Sequence, residues 1–469
     1  MGPFVKILAT SSIFLIASTA TYADDLAGIL DLALENDPTL RQARAQYRAN
    51  RELLVQGRAA LLPSFGVGGT TSRQTSGPTD SIYQTVTNPQ TGETTQIRVA
   101  DDYSFQPGLN SHGWGVNLTQ ALFNLPAWYT FQSAKATDRA AAMNFAAQEQ
   151  DLIFRVAIAY FDVLRAIDLL ETNLQEEEAA LTSLEQTRRR EEVGLDTIID
   201  VNDSQAAYDL ARNTTILQRD ILQARYEALE AITGQPHPEI EALREDFPIL
   251  EVDGQLAEWE AMAQDNSLAI AAAQYTLEAS QETLRARKSD RYPTLSATGS
   301  FSHFVTPTII RDGIRASGGA FDQSNLGLTV SIPIYSGGTL SSRRRAAEYD
   351  VIAAREGLEL AKRQLTQNIR NSYRRVNTDV LVIAQRQQSI VSAQSALDQT
   401  ELGVEVGQRN IVELLRAREN LYRALRQHAE ARYDYVLDTL ALKQITGVLT
   451  PQDVLDLNQW LEVPQETVQ

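Results

Sequence analysis

The chain contains no cysteine among its 469 residues, and its four histidines are scattered. Disulfides, thiolate metal sites and a lipid on an amino-terminal cysteine are therefore excluded, and no metal or other cofactor is expected. Nucleophile elbows, phosphate-binding glycine loops and Walker motifs are also missing. We therefore expect a protein that is not an enzyme.

Positive charge and long hydrophobic runs are scarce as well. The formal net charge is -18, which argues against nucleic acid as a partner because phosphate binding needs a basic face. The only long apolar run, Ile7 to Ala17, follows Lys6 and is too short to cross a bilayer. Small residues then lead to Ala23, so residues 1–23 are predicted to be a signal peptide. No transmembrane helix is expected in the mature chain.

The sequence repeats itself at long range. Val193-Gly194 opens a segment that closes at Thr233-Gly234, and 213 residues later Val406-Gly407 opens one that closes at Thr446-Gly447. Such a duplication indicates two copies of one structural unit. We place the first repeat at 24–249, the second at 250–450, and a carboxyl-terminal tail at 451–469.

Each repeat is predicted to contain a long helical hairpin, at 125–234 and 340–447. Residues 125–192 contain no glycine, and Pro126 falls in the first turn, where it is tolerated. A helix of that length measures about 100 Å. Apolar residues follow a heptad spacing in both copies, which indicates packing against other helices; a solvated spectrin-like rod is the alternative. These residues are Ile153, Val156, Tyr160, Val163, Ile167, Leu170 and Leu174 in the first copy, and Leu365, Ile369, Tyr373, Val376, Val380 and Ile383 in the second.

Each repeat also has two short segments in which apolar residues alternate with small or polar ones. Strands are predicted near 64–72, 112–123, 294–305 and 325–335, and each pair encloses a polar loop, at 73–112 and 306–323. The alternation suits either a sandwich with one wet face or the lipid-facing and lumen-facing sides of an outer-membrane barrel. A closed barrel needs about eight strands or more, so a barrel requires several chains. The strand count alone leaves two, three or four chains open.

Several segments resemble the TolC family of outer-membrane efflux and secretion channels, and the resemblance covers essentially the whole mature chain. The motifs that carry it are ENDPTLRQARA (35–45), LLPSFGVG (61–68), AYFDVLRAIDLL (159–170), VGLDTIIDV (193–201), GLTVSIPIYSGG (327–338), VSAQSALDQTELGVEVGQRNIVELL (391–415) and ARYDYVLDTLALKQITG (431–447).

The resemblance implies a mixed α and β membrane protein that assembles as a homotrimer. Three chains would share a twelve-stranded barrel in the outer membrane and a twelve-helix tunnel in the periplasm. The expected function is export of proteins by type I secretion, of drugs, or of both. The expected partners are a periplasmic adaptor, an inner-membrane ABC or proton-driven pump, and outer-membrane lipid. A periplasmic or secreted coiled-coil adaptor or adhesin without a barrel is the alternative.

The resemblance also assigns roles to the hairpin tips. Val193, Gly194, Val406 and Gly407 would dock the adaptor, and the neighbouring charged residues would form a gated mouth. In a three-fold pore each charged residue becomes a ring of three, as in ion-selective pores. The expected mouth residues are Asp200, Asp203, Arg409, Glu413 and Arg416.

Two features of the mouth depart from the family pattern. Arg409 and Asp200 match a gate-holding pair, but Ile199 and Val404 stand where the family has a threonine and a tyrosine. A charge-assisted Arg409–Asp200 bond is therefore the expected remaining link. Arg416 stands where the family has an acid, so either Asp203 supplies the missing charge or Arg416 pairs with Asp203 or Glu413.

Overall fold

The computed structural model describes residues 24–74, 82–100, 109–311, 314–316 and 318–463. The predicted signal peptide and the last six residues of the predicted tail lie outside this part of the chain. The helices are α1 Leu26–Asn36, α2 Pro38–Ala59, α3 Leu125–Glu192, α4 Ile198–Thr233, α5 Leu256–Asn266, α6 Leu268–Ser289, α7 Thr339–Glu405, α8 Ile411–Ile445 and α9 Pro451–Asn458. The strands are β1 Ser64–Gln74, β2 Ile82–Thr87, β3 Thr94–Ala100, β4 Leu109–Phe123, β5 Ala242–Leu243, β6 Thr294–Thr306, β7 Ile309–Arg311, β8 Ile314–Ala316, β9 Gly319–Ser331 and β10 Leu461–Glu462.

Contacts divide the chain into two units, and each unit contains parts of both repeats. The helical unit comprises the described residues up to Tyr47, residues 142–271, and the described residues from Glu359 onward. The sheet unit comprises residues 48–141 and 272–358, as far as they are described. The long helices α3 and α7, of 68 and 67 residues, contribute to both units.

In the helical unit, α3 is buried more broadly than a narrow heptad seam. Val156, Tyr160 and Val163 of the predicted seam are fully buried, but Ala157 and Phe161 on another side of the helix are buried as well. Residues of α1, β5 and α9 belong to the same core cluster, which explains the extra burial. Towards the tip the pattern weakens, and Leu174 is exposed. On α7 the buried seam residues Ile369, Val376 and Ile383 recur every seven positions.

The segment predicted to be a carboxyl-terminal tail is folded as far as Val463. The hydroxyl of Thr450 and the carboxylate of Asp453 form a capping box that starts α9, with Pro451 in its first turn. Strand β10 then pairs with β5, and Trp460 packs against the ring of Phe247 at a centroid distance of 5.9 Å. A short helix with one buried face is hard to recognise without knowing which core it joins.

The sheet unit contains a four-stranded antiparallel sheet in the order β1-β4-β6-β9. All four strands meet their neighbouring helices at one end of the sheet, and both connecting loops leave from the other end. Strand β9 spans 319–331 rather than the predicted 325–335. Pro333, which has no amide hydrogen to donate, explains the early end. The loops predicted as polar contain the paired strands β2–β3 and β7–β8.

The two faces of this sheet differ in chemistry. The registers place large apolar side chains on one face, where most are exposed; Leu326 is 86 % and Leu328 is 70 % accessible. The exposed members are Phe65, Val67, Trp114, Leu118, Phe301, Leu326, Leu328 and Val330. The opposite face carries mainly glycine, serine, threonine and asparagine. The sheet therefore presents an uncovered apolar surface within a single chain.

A partly buried hydrogen bond between Tyr433 and Asp168 connects α8 to α3, and its removal should destabilise the fold. The hydroxyl of Tyr433 donates to a carboxylate oxygen of Asp168 at 2.7 Å. Burial raises the pKa of Asp168, and the Tyr433 bond opposes that rise. Tyr433→Phe leaves a buried carboxylate without this donor, so we expect a loss of about 1–3 kcal/mol. Thermal melting of the detergent-purified protein measures it.

The loss should be smaller in acid, because the protonated carboxyl of Asp168 no longer needs a charge-assisted donor. Tyr349→Phe serves as the control, since the Tyr349 side chain is exposed. Asp168→Asn should reduce the effect of Tyr433→Phe, because the two residues are in contact. Equal melting of the two Tyr→Phe variants would show that the bond contributes nothing.

Candidate functional site at the hairpin tips

The first tip joins α3 to α4 through residues 193–197. Gly194 has a φ of 79°, a conformation that glycine adopts without strain. The amides of Gly194 and Leu195 donate to the carbonyls of Glu191 and Arg190, both at 2.8 Å, and so close the last turn of α3. Nε of Arg190 donates to the carboxylate of Asp196 at 2.9 Å, and this bond raises the pKa of the guanidinium.

Asp200 caps its own helix. Its amide donates to the hydroxyl of Thr197 at 3.3 Å, and its carboxylate accepts from the amide and the hydroxyl of Thr197 at 2.9 and 2.7 Å. This capping box satisfies donors that the first turn of α4 leaves unpaired. The Asp200 carboxylate is therefore fixed by local bonds.

The second tip joins α7 to α8 and uses the same design with different residues. Gly407 has a φ of 75°, and Asn410 caps α8 by accepting from the amide of Glu413 at 2.9 Å. Arg409 donates to the carboxylate of Glu413 at 2.8 Å. A Cβ on Gly403 would lie 2.6 Å from Cγ of Arg409, so this glycine leaves room for the arginine stem.

The predicted Arg409–Asp200 bond is not formed between the described residues of one chain. Arg409 pairs with Glu413 one helical turn away, and Asp200 pairs with Thr197. Neighbours at i and i+4 need little ordering to meet, which favours the local pair. The gate roles of these residues remain predictions, and the local contacts show what each carboxylate binds in the single chain.

Asp203 lies about one turn after Asp200 on α4, and Arg416 lies about one turn after Glu413 on α8. Within the described part of the chain neither residue forms an ion pair, so the alternative pairings of Arg416 with Asp203 or Glu413 are not seen. Arg416 lines a cavity of about 280 Å³ between the two hairpins, together with Leu210, Tyr422 and Arg426. Its guanidinium is exposed.

The predicted docking residues at the tips are exposed apolar side chains and glycines. Val193 and Val406 are both well exposed, and Leu195 and Ile199 extend the apolar surface of the first tip. An exposed apolar end on each hairpin is suited to contact with another protein.

A column of three α8 side chains joins the two hairpins, and the sequence analysis did not identify it. Arg418 donates to the carbonyl of Ala179 at 2.8 Å, and the Tyr422 hydroxyl donates to the carbonyl of Gln175 at 3.2 Å. Arg426 binds Asn173 at 3.0 Å and also pairs with Glu176. We call Arg418, Tyr422 and Arg426 the α8 column. Their spacing of four residues, which puts three long donors on one helix face, is the signal that was available.

The column is partly shielded from water, which makes its bonds more effective. Burial raises the pKa of Tyr422, so its hydroxyl remains a donor over the ordinary pH range. A second nitrogen of Arg418 reaches Glu401 of α7 at 2.8 Å. Arg418 therefore contacts α3 and α7 from α8.

Nothing in the described residues suggests metal chemistry or a membrane-crossing helix. No group of three or more histidine, aspartate or glutamate side chains there is placed to hold a metal ion. Among the helices described, none is long and apolar enough to span a bilayer.

Comparison with known proteins supports the resemblance found in the sequence. The "Outer membrane efflux protein" family model matches residues 29–235 and 259–448. Outer membrane protein TolC of Vibrio cholerae is 32% identical over 454 residues, 96% of each chain. Alkaline protease secretion protein AprF of Pseudomonas aeruginosa is 24% identical over 433 residues, 91% of this chain and 86% of that one.

The fold has a counterpart among solved structures. The outer membrane protein VceC from Vibrio cholerae superposes with a TM-score of 0.71 at 18% identity, covering 90% of this chain and 96% of that one. The family match over most of the chain and the near-complete coverage of the relatives settle the assignment: the chain belongs to the outer membrane efflux protein family and is a relative of TolC.

Proposed function

We propose that three copies of this chain form one export channel, with a twelve-stranded barrel in the outer membrane and a twelve-helix tunnel in the periplasm. Family membership makes the chain an outer-membrane channel protein for efflux and secretion. The observation that carries the shared barrel is the open four-stranded sheet with one uncovered apolar face. The channel conducts its cargo and catalyses no reaction.

Hydrogen bonding at the sheet edges supports the shared barrel. In the described sheet, β1 pairs only with β4, and β9 pairs only with β6. Lipid offers no partner to the free edges, so β9 of one chain has to meet β1 of the next. Two chains would give eight strands, whose interior is just wide enough to be filled by side chains. Three chains give the smallest shared barrel with an open lumen, and the family resemblance implies the same number.

A coiled-coil adaptor without a barrel explains the sheet less well. Such a protein would leave Phe65, Leu326 and Leu328 in water on one continuous face. Contiguous apolar surface of this kind marks a site of contact with lipid or protein. In a membrane-embedded barrel, lipid covers the whole apolar face of the sheet.

The hairpin tips are proposed to form the periplasmic mouth. Asp200, Asp203, Glu413 and Arg416 each become a ring of three charges when three chains surround the pore. Arg409 is proposed to hold the tip through Glu413, and the α8 column to keep the two hairpins of each chain together. Opening then requires the two hairpins to separate and the bonds between the α8 column and α3 to break.

The partners are proposed to be an adaptor at the exposed tips and an inner-membrane pump. The relatives include a TolC and a protein named for alkaline protease secretion, so both drug efflux and protein secretion suit this chain. The pump, whether an ABC exporter or a proton-driven one, selects the cargo.

The assembly is tested by the mass of the detergent-solubilised outer-membrane protein. We expect three mature chains per particle and a band that migrates differently after heating, as folded barrels do. A water-soluble monomer, or a particle of two or four chains, would overturn the trimer.

Removing one side chain of the α8 column should open the resting mouth. Arg418→Ala breaks the bonds to Ala179 and Glu401, so the hairpins separate more readily and the resting single-channel conductance in planar bilayers should rise several-fold. Arg423→Ala is the matched control, because Arg423 pairs with Glu419 on its own helix. Equal conductance in the two variants would remove the column from the gate.

The two mouth charges on α8 should act in opposite directions. Glu413→Gln removes a ring of negative charge and should lower the preference for cations, whereas Arg416→Gln removes a positive ring and should raise it. Reversal potentials measured across a salt gradient report both changes. If both variants keep the parent reversal potential, these side chains do not line the mouth.

A further inference from the structure

The polar face of the sheet is lined by small side chains along most of its length. The rows across β1, β4, β6 and β9 are Ser64–Thr119–Thr298–Gly327, Gly66–Asn117–Ser300–Asn325 and Gly68–Gly115–Ser302–Gln323. A barrel with this face inward has a wettable lumen, because its lining is hydroxyls, amides and bare backbone.

The next row breaks this pattern with two aromatic side chains. It reads Thr70–Gly113–Phe304–Phe321. The rings of Phe304 and Phe321 lie side by side, with centroids 5.6 Å apart and planes at 30°. They are 36 % and 51 % exposed although their neighbours on this face are small and polar.

Gly113 provides the space for this pair. A Cβ at Gly113 would lie 2.7 Å from Cδ1 of Phe304, closer than packed atoms approach. The ring of Phe304 therefore lies over the bare backbone of β4. The packing of the pair is therefore specified by the sequence, because β4 has a glycine at the position where β6 places the ring of Phe304.

The opposite face shows at what level of the membrane the pair lies. On that face, the neighbouring row on the helix side of the pair carries both Trp114 and the His303–Asp322 pair, whose Nδ1–Oδ1 distance is 2.6 Å. Tryptophan and charged groups are typical of the membrane–water interface, whereas the rows nearer the helices carry Phe301 and Leu326. The aromatic pair thus lies at the loop end of the sheet, level with the outer boundary of the apolar band.

We propose that Phe304 and Phe321 form an aromatic constriction inside the outer end of the barrel. This inference rests on the proposed trimer, in which three pairs give six rings around one lumen. The rings narrow the lumen and offer it π-faces, on which flat apolar groups and organic cations can stack. Cargo that carries aromatic groups would contact this constriction last, after the periplasmic mouth has admitted it.

The absence of cysteine allows a direct test of where these side chains point. Phe304→Cys should react rapidly with a charged thiosulfonate reagent that does not cross membranes, added to reconstituted trimers from the outer side. Phe301→Cys is the matched control, because Phe301 lies three residues away on the same strand and on the apolar face. It should react at least about tenfold more slowly in lipid, where the thiolate does not form.

A second measurement tests whether the two rings narrow the lumen or only face it. In the Arg418→Ala background, Phe304→Ala with Phe321→Ala should raise single-channel conductance and admit larger polyethylene glycols from the outer side. The double variant Phe304→Leu with Phe321→Leu keeps apolar side chains of similar size. It should therefore change the conductance and the polymer cut-off less than the double alanine variant does. The gel mobility of the trimer verifies assembly of every variant.

The outcomes distinguish this inference from the proposed function. Channels that form while Phe304→Cys stays unreactive, or while Phe301→Cys reacts equally fast, overturn the constriction and leave the channel intact. An unchanged polymer cut-off in the double alanine variant also overturns it. If the parent chain forms no trimer and no channel, the proposed function fails instead.

Discussion

Unpaired backbone at the edges of a four-stranded sheet is the constraint on which this structure depends. Strands β1 and β9 each present a row of amides and carbonyls to whatever lies beside them. Water could form hydrogen bonds with these groups, but the exposed apolar face of the same sheet belongs in lipid. Lipid offers the edge amides and carbonyls no hydrogen-bond partner. Both demands are met only when copies of the chain complete each other's sheet. The proposed oligomer, its shared lumen and the polar lining of that lumen would all follow from that one requirement.

The two hairpin tips have the same turn and helix-cap geometry although their residues differ. The first tip uses Thr197 and Asp200 for its cap, and the second uses Asn410 and Glu413. In both, a glycine with positive φ reverses the chain, and an acid in the first turn meets the helix dipole. An acid at this position is therefore useful to the helix whether or not it faces a pore. In the proposed mouth, each of these acids would add its charge to the pore while also stabilising the start of its own helix.

The sequence predicted elements better than it predicted contacts. Helix α3 could be recognised from Pro126 and Gly194, and the strands from their alternation, because these signals are local. The folded tail around Trp460 and the broad burial of the middle of α3 depend on partners that are distant in sequence, which a periodic pattern cannot identify. The same limit applied at the tips. Asp200 and Glu413 are predicted from their positions in the repeat and from the family resemblance, and Arg409 from the resemblance, yet the Arg409–Glu413 pair and the α8 column are visible only in the structure.

Two of the three residues of the α8 column hold the hairpins together without needing particular side chains on α3. Arg418 and Tyr422 donate to backbone carbonyls, which are present whatever residue stands at positions 179 and 175. Each such bond contributes about 0.5–1.5 kcal/mol net, more where the donor is charged. In the proposed channel, a mouth closed by several bonds of this size would be stable at rest, yet the binding free energy of a partner could open it. The proposed adaptor would open it only by binding the separated hairpins more tightly than the joined ones, by at least the sum of the bonds that break. The exposed apolar residues at the tips are the surface from which that difference in affinity would have to come.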